Sequence, residues 1–483
     1  MVVSKLIWCL FAVMTVCPPM CAIGVTSEVD ERLERQETRI AELEVRFKAH
    51  DRILQRLPLV DGPETASDLA ASTKWTWPPC CTAPERAIVP PTMLVTTKVS
   101  SFVLTCPGAT PFELKLNGRI QFRHTAFDRQ AHSYFNRATG MSVPIEERND
   151  FEIERGRITF SGFVHNPNLK YYINLDMDTD DNHRAVAQDF WFNYRFNDLV
   201  DLYVGKAFVP GSREWIDGAL KMRLGDRSMS TTFFRPDRTV GIWSIGKLTD
   251  DLNYRVMVGN GVSSADLDPL SIDHHFIVAG TTWWEPLADF GTGYSDLEWH
   301  DQFAIRIGAS GTCASHEERE NGLPFVEGNF VRLSDGVRLV ETGALAPGVR
   351  VSGFNFSLLA ADISGKYRGF SFNGEFYARW LDNFSADGPI PFTELYDDGF
   401  YFECGHMLCP GKFEIAGRVS TVDGIFGDAW EYVGGVNLFR NGHNNKLTFD
   451  VTYLDGSPAN NSGANFRRGD RGVMFRTAWQ VAF

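Results

Sequence analysis

The feature that most constrains the fold is an alternation of side-chain character with a period of two, and the last segment of the chain shows it most clearly. One set of alternate residues is mainly apolar and aromatic: Val473, Phe475, Thr477, Trp479, Val481 and Phe483. The intervening set includes Arg476 and Gln480. Successive side chains of a β-strand point to opposite faces, so this pattern predicts a strand with one apolar and one polar face. A strand between lipid and water has this character.

Composition narrows the possible surroundings of such strands. Aromatic residues make up 13% of the 483 residues and charged residues 22%, which is too polar for a bundle of membrane helices. After the N-terminal segment, no stretch has the roughly 18 apolar residues that a spanning helix needs. A protein that crosses a membrane without such helices does so as a closed barrel. The net charge of −14 and the lack of a basic domain argue against a nucleic-acid partner.

Residues 113–483 predict a sixteen-stranded antiparallel transmembrane β-barrel, an all-β fold. The predicted strands are 113–123, 151–164, 168–178, 188–197, 200–208, 238–247, 252–260, 274–284, 301–310, 354–363, 369–382, 397–408, 412–421, 430–440, 445–455 and 471–483. Short and long connections alternate, and an even strand number places both ends of the barrel on one side of the membrane. The connection 285–300 is long where a short one is expected.

The first residues have the pattern of an export signal. Lys5 precedes an apolar run over 6–17, and Ala22-Ile23-Gly24 offers small residues for cleavage, so residues 1–24 are interpreted as a signal peptide. A membrane anchor would need a longer apolar run. A lipoprotein signal at Cys21 is the other alternative.

Two further segments precede the barrel. Residues 27–57 carry apolar residues in alternating steps of four and three, with Ile40, Phe47 and Leu54 at one core position, which predicts a periplasmic coiled-coil trimerisation helix. A single amphipathic helix on the barrel is the alternative. Residues 58–112 are rich in Pro and Cys and are interpreted as a linker or plug. The pairing of the six cysteines after the signal stays open: Cys80, Cys81, Cys106, Cys313, Cys404 and Cys409.

The alternation also assigns basic residues to the inside of the barrel. About thirteen basic and about eight acidic side chains face inward on this interpretation. The predicted lumen wall contains Lys115, Arg119, Arg123, Arg155, Arg157, Arg195, Arg255, Arg306, Arg379, Arg418 and Lys446. Rings of Arg and Lys select anions in pores. The alternative is that these cations only pair with inward acids.

The connection 209–237 is the third long loop by this count, and its basic residues are expected to form a pore constriction and anion-binding site. These residues are Arg213, Lys221, Arg223, Arg227 and Arg235, together with Arg238 just after the loop. A solvated outer loop is the alternative.

Five motifs in chain order resemble the phosphate-selective porins of the O and P type found in bacterial outer membranes. They are Arg155-Gly-Arg157-Ile158, Tyr203-Val-Gly205-Lys206-Ala-Phe-Val-Pro210, Arg235-Pro-Asp-Arg238-Thr-Val-Gly241, Asn373-Gly-Glu375-Phe-Tyr377 and Gly435-Val-Asn437-Leu-Phe439-Arg-Asn441-Gly-His443. The resemblance implies a trimeric sixteen-stranded barrel with an arginine ladder and a lysine cluster for anions. The chain departs from this pattern between 209 and 240, where Lys221 is the only lysine.

The expected function is passive diffusion of small hydrophilic, anionic, phosphate-like solutes across the outer membrane, with no catalysis, cofactor or metal. The expected partners are outer-membrane lipid, small anions, two further copies of the chain, and the barrel-assembly machinery, which would recognise the terminal Phe483. Two alternatives remain: a non-selective general porin, and a structural barrel tethered through its coiled coil. An outer-membrane hydrolase is a further alternative. The serines of Gly261-Val-Ser263-Ser264-Ala265 lie in a loop and not in the strand-to-helix turn that presents the nucleophile of a hydrolase.

Overall fold

A computed structural model describes residues 94–98, 101–106, 111–179, 185–321, 323–460 and 466–483, the first two ranges as backbone only. The predicted signal peptide and coiled coil lie outside the described residues, as does most of the segment 58–112. Their structures therefore stay predictions.

Twenty strands make up nearly all of the regular structure that is described. They are β1 Leu94–Lys98, β2 Ser101–Cys106, β3 Phe112–Arg129, β4 Ser133–Asn136, β5 Met141–Pro144, β6 Arg148–Val164, β7 Asn166–Asp176, β8 Val186–Arg195, β9 Asp201–Phe208, β10 Arg238–Lys247, β11 Leu252–Gly259, β12 Ile277–Trp284, β13 Ala304–Glu317, β14 Val351–Tyr367, β15 Phe370–Ala386, β16 Glu394–Cys409, β17 Phe413–Gly424, β18 Gly427–Asn441, β19 Asn445–Asp455 and β20 Arg471–Ala482.

Sixteen of these strands, β3 and β6 to β20, pair antiparallel in chain order and close into a barrel. The predicted sixteen-stranded barrel is thus confirmed, and each predicted strand overlaps one wall strand. Several wall strands extend further than predicted, for example β13, which continues to Glu317, and β14, which spans Val351–Tyr367.

The barrel closes between its first and last strands. Gly472 of β20 pairs with Arg129 of β3, and the pairing continues to Ala482 opposite Arg119. Phe483 then exchanges two backbone hydrogen bonds of 2.9 Å with Gly118. Its ring covers Gly118, where a Cβ would lie 2.3 Å from the ring tip. A glycine opposite the terminal residue therefore lets Phe483 lie flat on the closing seam.

A hairpin inside the segment interpreted as linker or plug extends this seam. β1 pairs with β2, and β2 pairs with β3 from Phe102 opposite Leu116 to Cys106 opposite Phe112. β2 thus occupies the edge of β3 just beyond the end of β20, which satisfies backbone groups that would otherwise form an open sheet edge.

Most connections at one end of the barrel are short turns, and most at the other end are long loops. The exceptions are the long connection 285–303 and the two-residue turn 425–426. The two-residue turn Arg368-Gly369 has φ values of 46° and 82°, as required by a hairpin turn with two left-handed residues. The long loops include 209–237, which contains the helices α1 (Arg213–Ile216) and α2 (Met229–Phe234). Three 3-10 turns are Ala219–Lys221, Pro269–Ser271 and Glu327–Phe330. Among the described residues, no helix combines the length and apolar character needed to cross a membrane.

The outer face of the wall carries a belt of exposed apolar side chains, as the alternation predicted. Examples are Ile120, Phe122, Phe192, Ile242, Val258, Leu359, Phe376, Phe449, Phe475 and Trp479, each about half exposed. An apolar surface of this extent is unfavourable in water and marks a face that contacts lipid or another apolar partner.

A β-bulge in β6 changes the predicted orientation of two acids. The register between β3 and β6 shifts after the pair Gln121 and Arg155, so that Phe122 lies opposite Ile153 and Glu154 is extra. Glu152 and Glu154 consequently point inward with Arg155, and all three are buried. Strict alternation cannot reveal this, because a bulge reverses the parity of every residue before it.

The long connection 285–303 at the short-turn end folds into the lumen. The Tyr294 carbonyl accepts a hydrogen bond from Arg223 of the 209–237 loop, and Ser295 donates to Glu414 on the far wall. Lys366 of β14 donates to the Phe290 carbonyl at 3.0 Å. The unexpected length of this connection thus lets it fill part of the turn-end mouth.

The long-loop half of the lumen holds an apolar cluster instead of open space. Helix α2 and the loop 318–350 pack there against inward side chains of β14 to β20. The cluster includes Met229, Phe234, Leu333, Val337, Leu339, Phe356, Leu358, Tyr377, Leu454 and Met474, all 2% exposed or less. Apolar burial of this kind holds the loop 318–350 inside the barrel.

We predict that Gly205→Ala destabilises the barrel by about 1–3 kcal/mol, because Gly205 of β9 has φ 143° and a Cβ would lie 2.3 Å from the Phe190 carbonyl oxygen. Gly434→Ala is the matched control, because nothing lies within 4 Å of the added Cβ. Urea unfolding of both variants in detergent measures the difference. Equal stabilities would contradict the proposed close approach of β8 and β9.

Candidate functional site: the inner loop and the charged lumen

The loop 209–237, called the inner loop below, folds into the lumen and contacts the inner side of the wall. Wall glutamates bind the N-termini of both of its helices. Glu375 of β15 accepts hydrogen bonds from the backbone N–H of Arg213 at 2.6 Å and of Glu214 at 3.1 Å. Glu431 of β18 accepts one from Met229 at 2.9 Å. The first N–H groups of a helix have no partner within it, so these carboxylates satisfy buried donors.

Wall donors bind carbonyl groups of the inner loop in the same way. Asn437 donates to the Arg223 carbonyl at 2.8 Å, Lys446 to that of Met222 at 2.6 Å, and Gln480 to that of Leu220 at 2.9 Å. These contacts fix the middle of the loop against β18, β19 and β20. Lys446, which was predicted to line the lumen, therefore binds a backbone carbonyl of the inner loop.

Arg223, expected at the constriction, is fully buried between two wall acids. It donates to Glu403 at 3.1 Å and to Glu414 at 3.2 Å, and its remaining donors reach the Tyr294 carbonyl and the Ser371 hydroxyl. Every guanidinium nitrogen is thus engaged. The charge of Arg223 is compensated, and its role in this structure is to join the inner loop to the wall.

Arg123 is the centre of a second buried ion-pair network. It donates to Glu152 at 2.7 Å and also binds Glu154 and the inner-loop residue Asp226. Arg155 binds Asp226 at 3.0 Å. Burial alone would raise the pKa of Asp226, but the arginines hold it at about 2. Asp226 is therefore an anion at neutral pH, and it attaches the inner loop to β3 and β6.

Most other predicted lumen cations are also paired. The pairs are Arg157 with Asp176, Arg213 with Asp362, Arg238 with Asp189, Arg306 with Asp217, Arg379 with Asp397 and Arg418 with Glu431. Lys115 and Arg195 lie near the short-turn end, about half exposed, and pair with Glu113 and Asp198. Lys221 is half-buried beside Gly293. Pairing of inward cations with inward acids, considered above as the alternative, thus holds over much of the wall.

Arg119 differs from this paired set. It is 9% exposed, and among the described residues neither its Nε nor its Nη2 has a hydrogen-bond partner. It lies directly across from Arg157 on the neighbouring strand. Like charges at opposed positions are destabilising, so this pair concentrates positive potential at one point of the wall.

Two inner-loop arginines add to that potential. Arg227 donates to three backbone carbonyls, those of Glu214, Trp215 and Asp217, and stacks on the Trp215 ring. Burial, followed by the nearby cation Arg155, lowers the pKa of Arg227 to about 9, which leaves it charged at neutral pH. Arg235 also lies over the Trp215 ring, 4.1 Å from its centroid, and Asp237 is 3.5 Å away.

The lumen lining along β6 to β12 is called the open sector below. Several inward side chains there are half-buried, for example Thr159, Tyr172 and Arg255, whereas those on β14 to β20 are almost all buried. Four inward aromatic residues form a continuous stack: Tyr172, Trp191, Tyr203 and Trp243. Arg255 donates to the Phe208 carbonyl at 2.7 Å and lies over Trp243. The sequence analysis considered mainly the charged residues of the inner face, so it did not identify this stack.

Comparisons with known proteins support the fold. No family model matches the chain, and no curated protein matches its sequence. The anion-selective porin from Comamonas acidovorans has a similar structure, with a TM-score of 0.50 and 10% identity over 77% of this chain and 100% of that chain. The outer membrane channel DcaP of Acinetobacter baumannii gives a TM-score of 0.46 and 9% identity over 77% of this chain and 97% of its own. At such low identity the first likeness shows the porin-type barrel fold and nothing finer.

We predict that Arg223→Met lowers the free energy of unfolding by about 3–5 kcal/mol, because it leaves Glu414 buried without an ion-pair partner and Glu403 with only Arg418, 3.8 Å away. Arg195→Met is the control, since its exposed ion pair should contribute less than about 1 kcal/mol. Chemical unfolding in detergent measures both effects. Adding Glu414→Gln to Arg223→Met should recover part of the loss, and no recovery would contradict the buried ion pair.

Proposed function

We propose that this barrel is an outer-membrane pore for passive diffusion of small hydrophilic anions, with the conducting path along the open sector and the neighbouring strand β3. The observation that carries the proposal is Arg119, a buried cation opposite Arg157 with two donor groups that no described residue satisfies. An anion that passes this point can accept those hydrogen bonds and reduce the repulsion between the guanidinium groups.

The surrounding charges favour the same conclusion. Five guanidinium groups, Arg119, Arg157, Arg227, Arg235 and Arg238, border this part of the lumen, and the acids paired with them are Asp176, Asp189 and Asp237. Fixed charges act more strongly in a narrow, poorly hydrated passage than in bulk water. The local excess of cations is therefore expected to exclude potassium and admit chloride or phosphate.

The membrane location rests on the wall itself. The exposed apolar belt and the closed ladder of sixteen strands are the two properties that lipid requires, since no strand edge of the wall is left open. A solved structure with this fold is described as an anion-selective porin, which agrees with the proposal.

Two alternatives are tested by the same channel recordings. A non-selective general porin would conduct cations and anions equally. A structural barrel tethered through its coiled coil would show no conductance, and the inner loop, the connection 285–303 and the loop 318–350 do occupy much of the lumen. Phosphate preference is a separate question: added phosphate should reduce chloride current if the resemblance to phosphate-selective porins extends to the binding site.

We further propose that the pore is a homotrimer held in part by the coiled coil of residues 27–57. Deleting 27–57 removes the heptad core positions and should weaken subunit association while leaving the barrel folded. Light scattering in detergent measures the mass, and heat-modifiable migration in a gel verifies the fold. A wild-type monomer, or a deletion variant with an unchanged trimer stability, would contradict this assignment.

We predict that wild-type channels in asymmetric KCl give a reversal potential that favours chloride, and that Arg119→Gln shifts it toward potassium at both low and high salt. Lys115→Gln is the matched control on the same face of β3. The Lys115 side chain is about half exposed near the turn-end mouth. Salt at 0.1 M screens charges beyond about 10 Å, so the effect of Lys115→Gln on the reversal potential should disappear at high salt. A wild-type preference for potassium would contradict the proposed anion pore.

A further inference from the structure

A buried cluster of metal-binding side chains lies at the long-loop end, apart from the charged lumen. Asp273 belongs to the loop 260–276, His316 is near the end of β13, and Glu327 begins the 3-10 turn in the loop 318–350. One ligand atom from each lies within 4.8 Å of the others. Three separate segments thus meet at one point.

His316 is the group that points to a ligand. It is 2% exposed, and neither ring nitrogen has a hydrogen-bond partner among the described residues. Its Nδ1 lies 3.8 Å from Asp273 Oδ2 and 3.8 Å from Glu327 Oε1. These separations are too long for hydrogen bonds. They are close to the spacing of about 3.3 Å expected for two ligands on a tetrahedral ion with bonds of about 2.0–2.1 Å.

The two carboxylates are already oriented by backbone groups. Asp273 accepts hydrogen bonds from the backbone N–H of His275 at 2.7 Å and of Glu317 at 2.9 Å. Glu327 Oε2 accepts one from the Asp273 N–H at 2.8 Å, and its Oε1 has no partner among the described residues. Outer contacts of this kind orient the ligands of metal sites.

Packing around the cluster leaves no space for a side chain. A Cβ on Gly261 would lie 2.3 Å from Glu327 Oε1 and 3.3 Å from His316 Cε1. Two carboxylates that are almost completely buried beside each other are unfavourable unless a cation compensates them. A divalent ion would cancel both charges and satisfy the neutral imidazole at the same time.

We propose that Asp273, His316 and Glu327 bind a zinc ion that joins the loop 318–350 to the barrel. One imidazole and two carboxylates, with a water molecule as fourth ligand, form a tetrahedral N/O donor set suited to zinc. Leu333, Val337 and Leu339 of the same loop lie in the apolar cluster inside the lumen. The ion therefore fixes this loop to the barrel at Glu327, just before the residues that fill the lumen. The proposal does not depend on the pore function.

The first experiment measures zinc binding to the full-length protein in detergent. After removal of metal with EDTA, incubation with ZnCl2 and desalting, wild type should retain about one zinc per chain by mass spectrometry. His316→Gln and Glu327→Gln should each weaken the affinity at least about tenfold in competition with a chromophoric chelator. His132→Gln, which removes an exposed histidine 3.2 Å from Glu147, should bind like wild type.

The second experiment tests whether zinc holds the loop. Zinc should slow tryptic cleavage after Arg332 and Arg338 in wild type and in His132→Gln, and should have no effect in His316→Gln or Glu327→Gln. Heat-modifiable migration verifies that each variant is a folded barrel. Wild type that retains no more zinc than the two ligand variants overturns the site. Stoichiometric zinc with unchanged cleavage overturns the proposed joining of the loop.

Discussion

The structure depends on the neutralisation of buried charge between the inner loop and the barrel wall. Arg123, Arg223 and Arg379 are among the largest fully buried side chains, a position that apolar residues occupy in soluble domains. Arg123 and Arg223 each form ion pairs between the wall and the inner loop, whereas Arg379 pairs with Asp397 within the wall. A buried cation without these partners would be strongly unfavourable, so the wall and the inner loop determine each other's position. The lumen is therefore organised by ion pairs at its centre and by apolar packing at its long-loop end.

This division of chemistry explains why the open sector lies where it does. The inner loop binds β14 to β20 through Glu375, Glu403, Glu414 and Glu431, so carboxylates are concentrated on that side and their charge is consumed by the loop. On the other side of the lumen, Arg119 of β3 has no salt bridge to any described residue, and the inner-loop residue Arg227 donates to backbone carbonyls. Carboxylates that bind the inner loop on one side of the lumen do not pair with the arginines on the other side.

The sequence predicts the barrel well because its determinants are local. Alternation marks each strand, and turn residues mark the connections, so the sixteen wall strands and their faces follow from neighbouring residues alone. The bulge at Glu154 is the instructive exception: one extra residue reverses the parity of the acids that bind Arg123. The pairing of Arg223 with Glu403 and Glu414 joins residues that are 180 and 191 positions apart in the chain, and no local pattern contains such a relation. For this reason the basic character of the inner loop could be recognised from the sequence, whereas the wall carboxylates that pair with its arginines could not.

Among the described segments that enter the lumen, three are held by different kinds of contact. Carboxylates hold the inner loop, backbone carbonyls bound to Arg223 and Lys366 hold the connection 285–303, and apolar packing holds the loop 318–350. These contacts respond differently to conditions: salt and pH act on the first, and temperature on the last, since hydrophobic association depends on temperature differently from ion pairing. Because Arg223 touches both the wall acids and the Tyr294 carbonyl, the inner loop and the connection 285–303 are coupled. A change in the charge of this one residue would therefore reach both the middle of the lumen and its turn-end mouth.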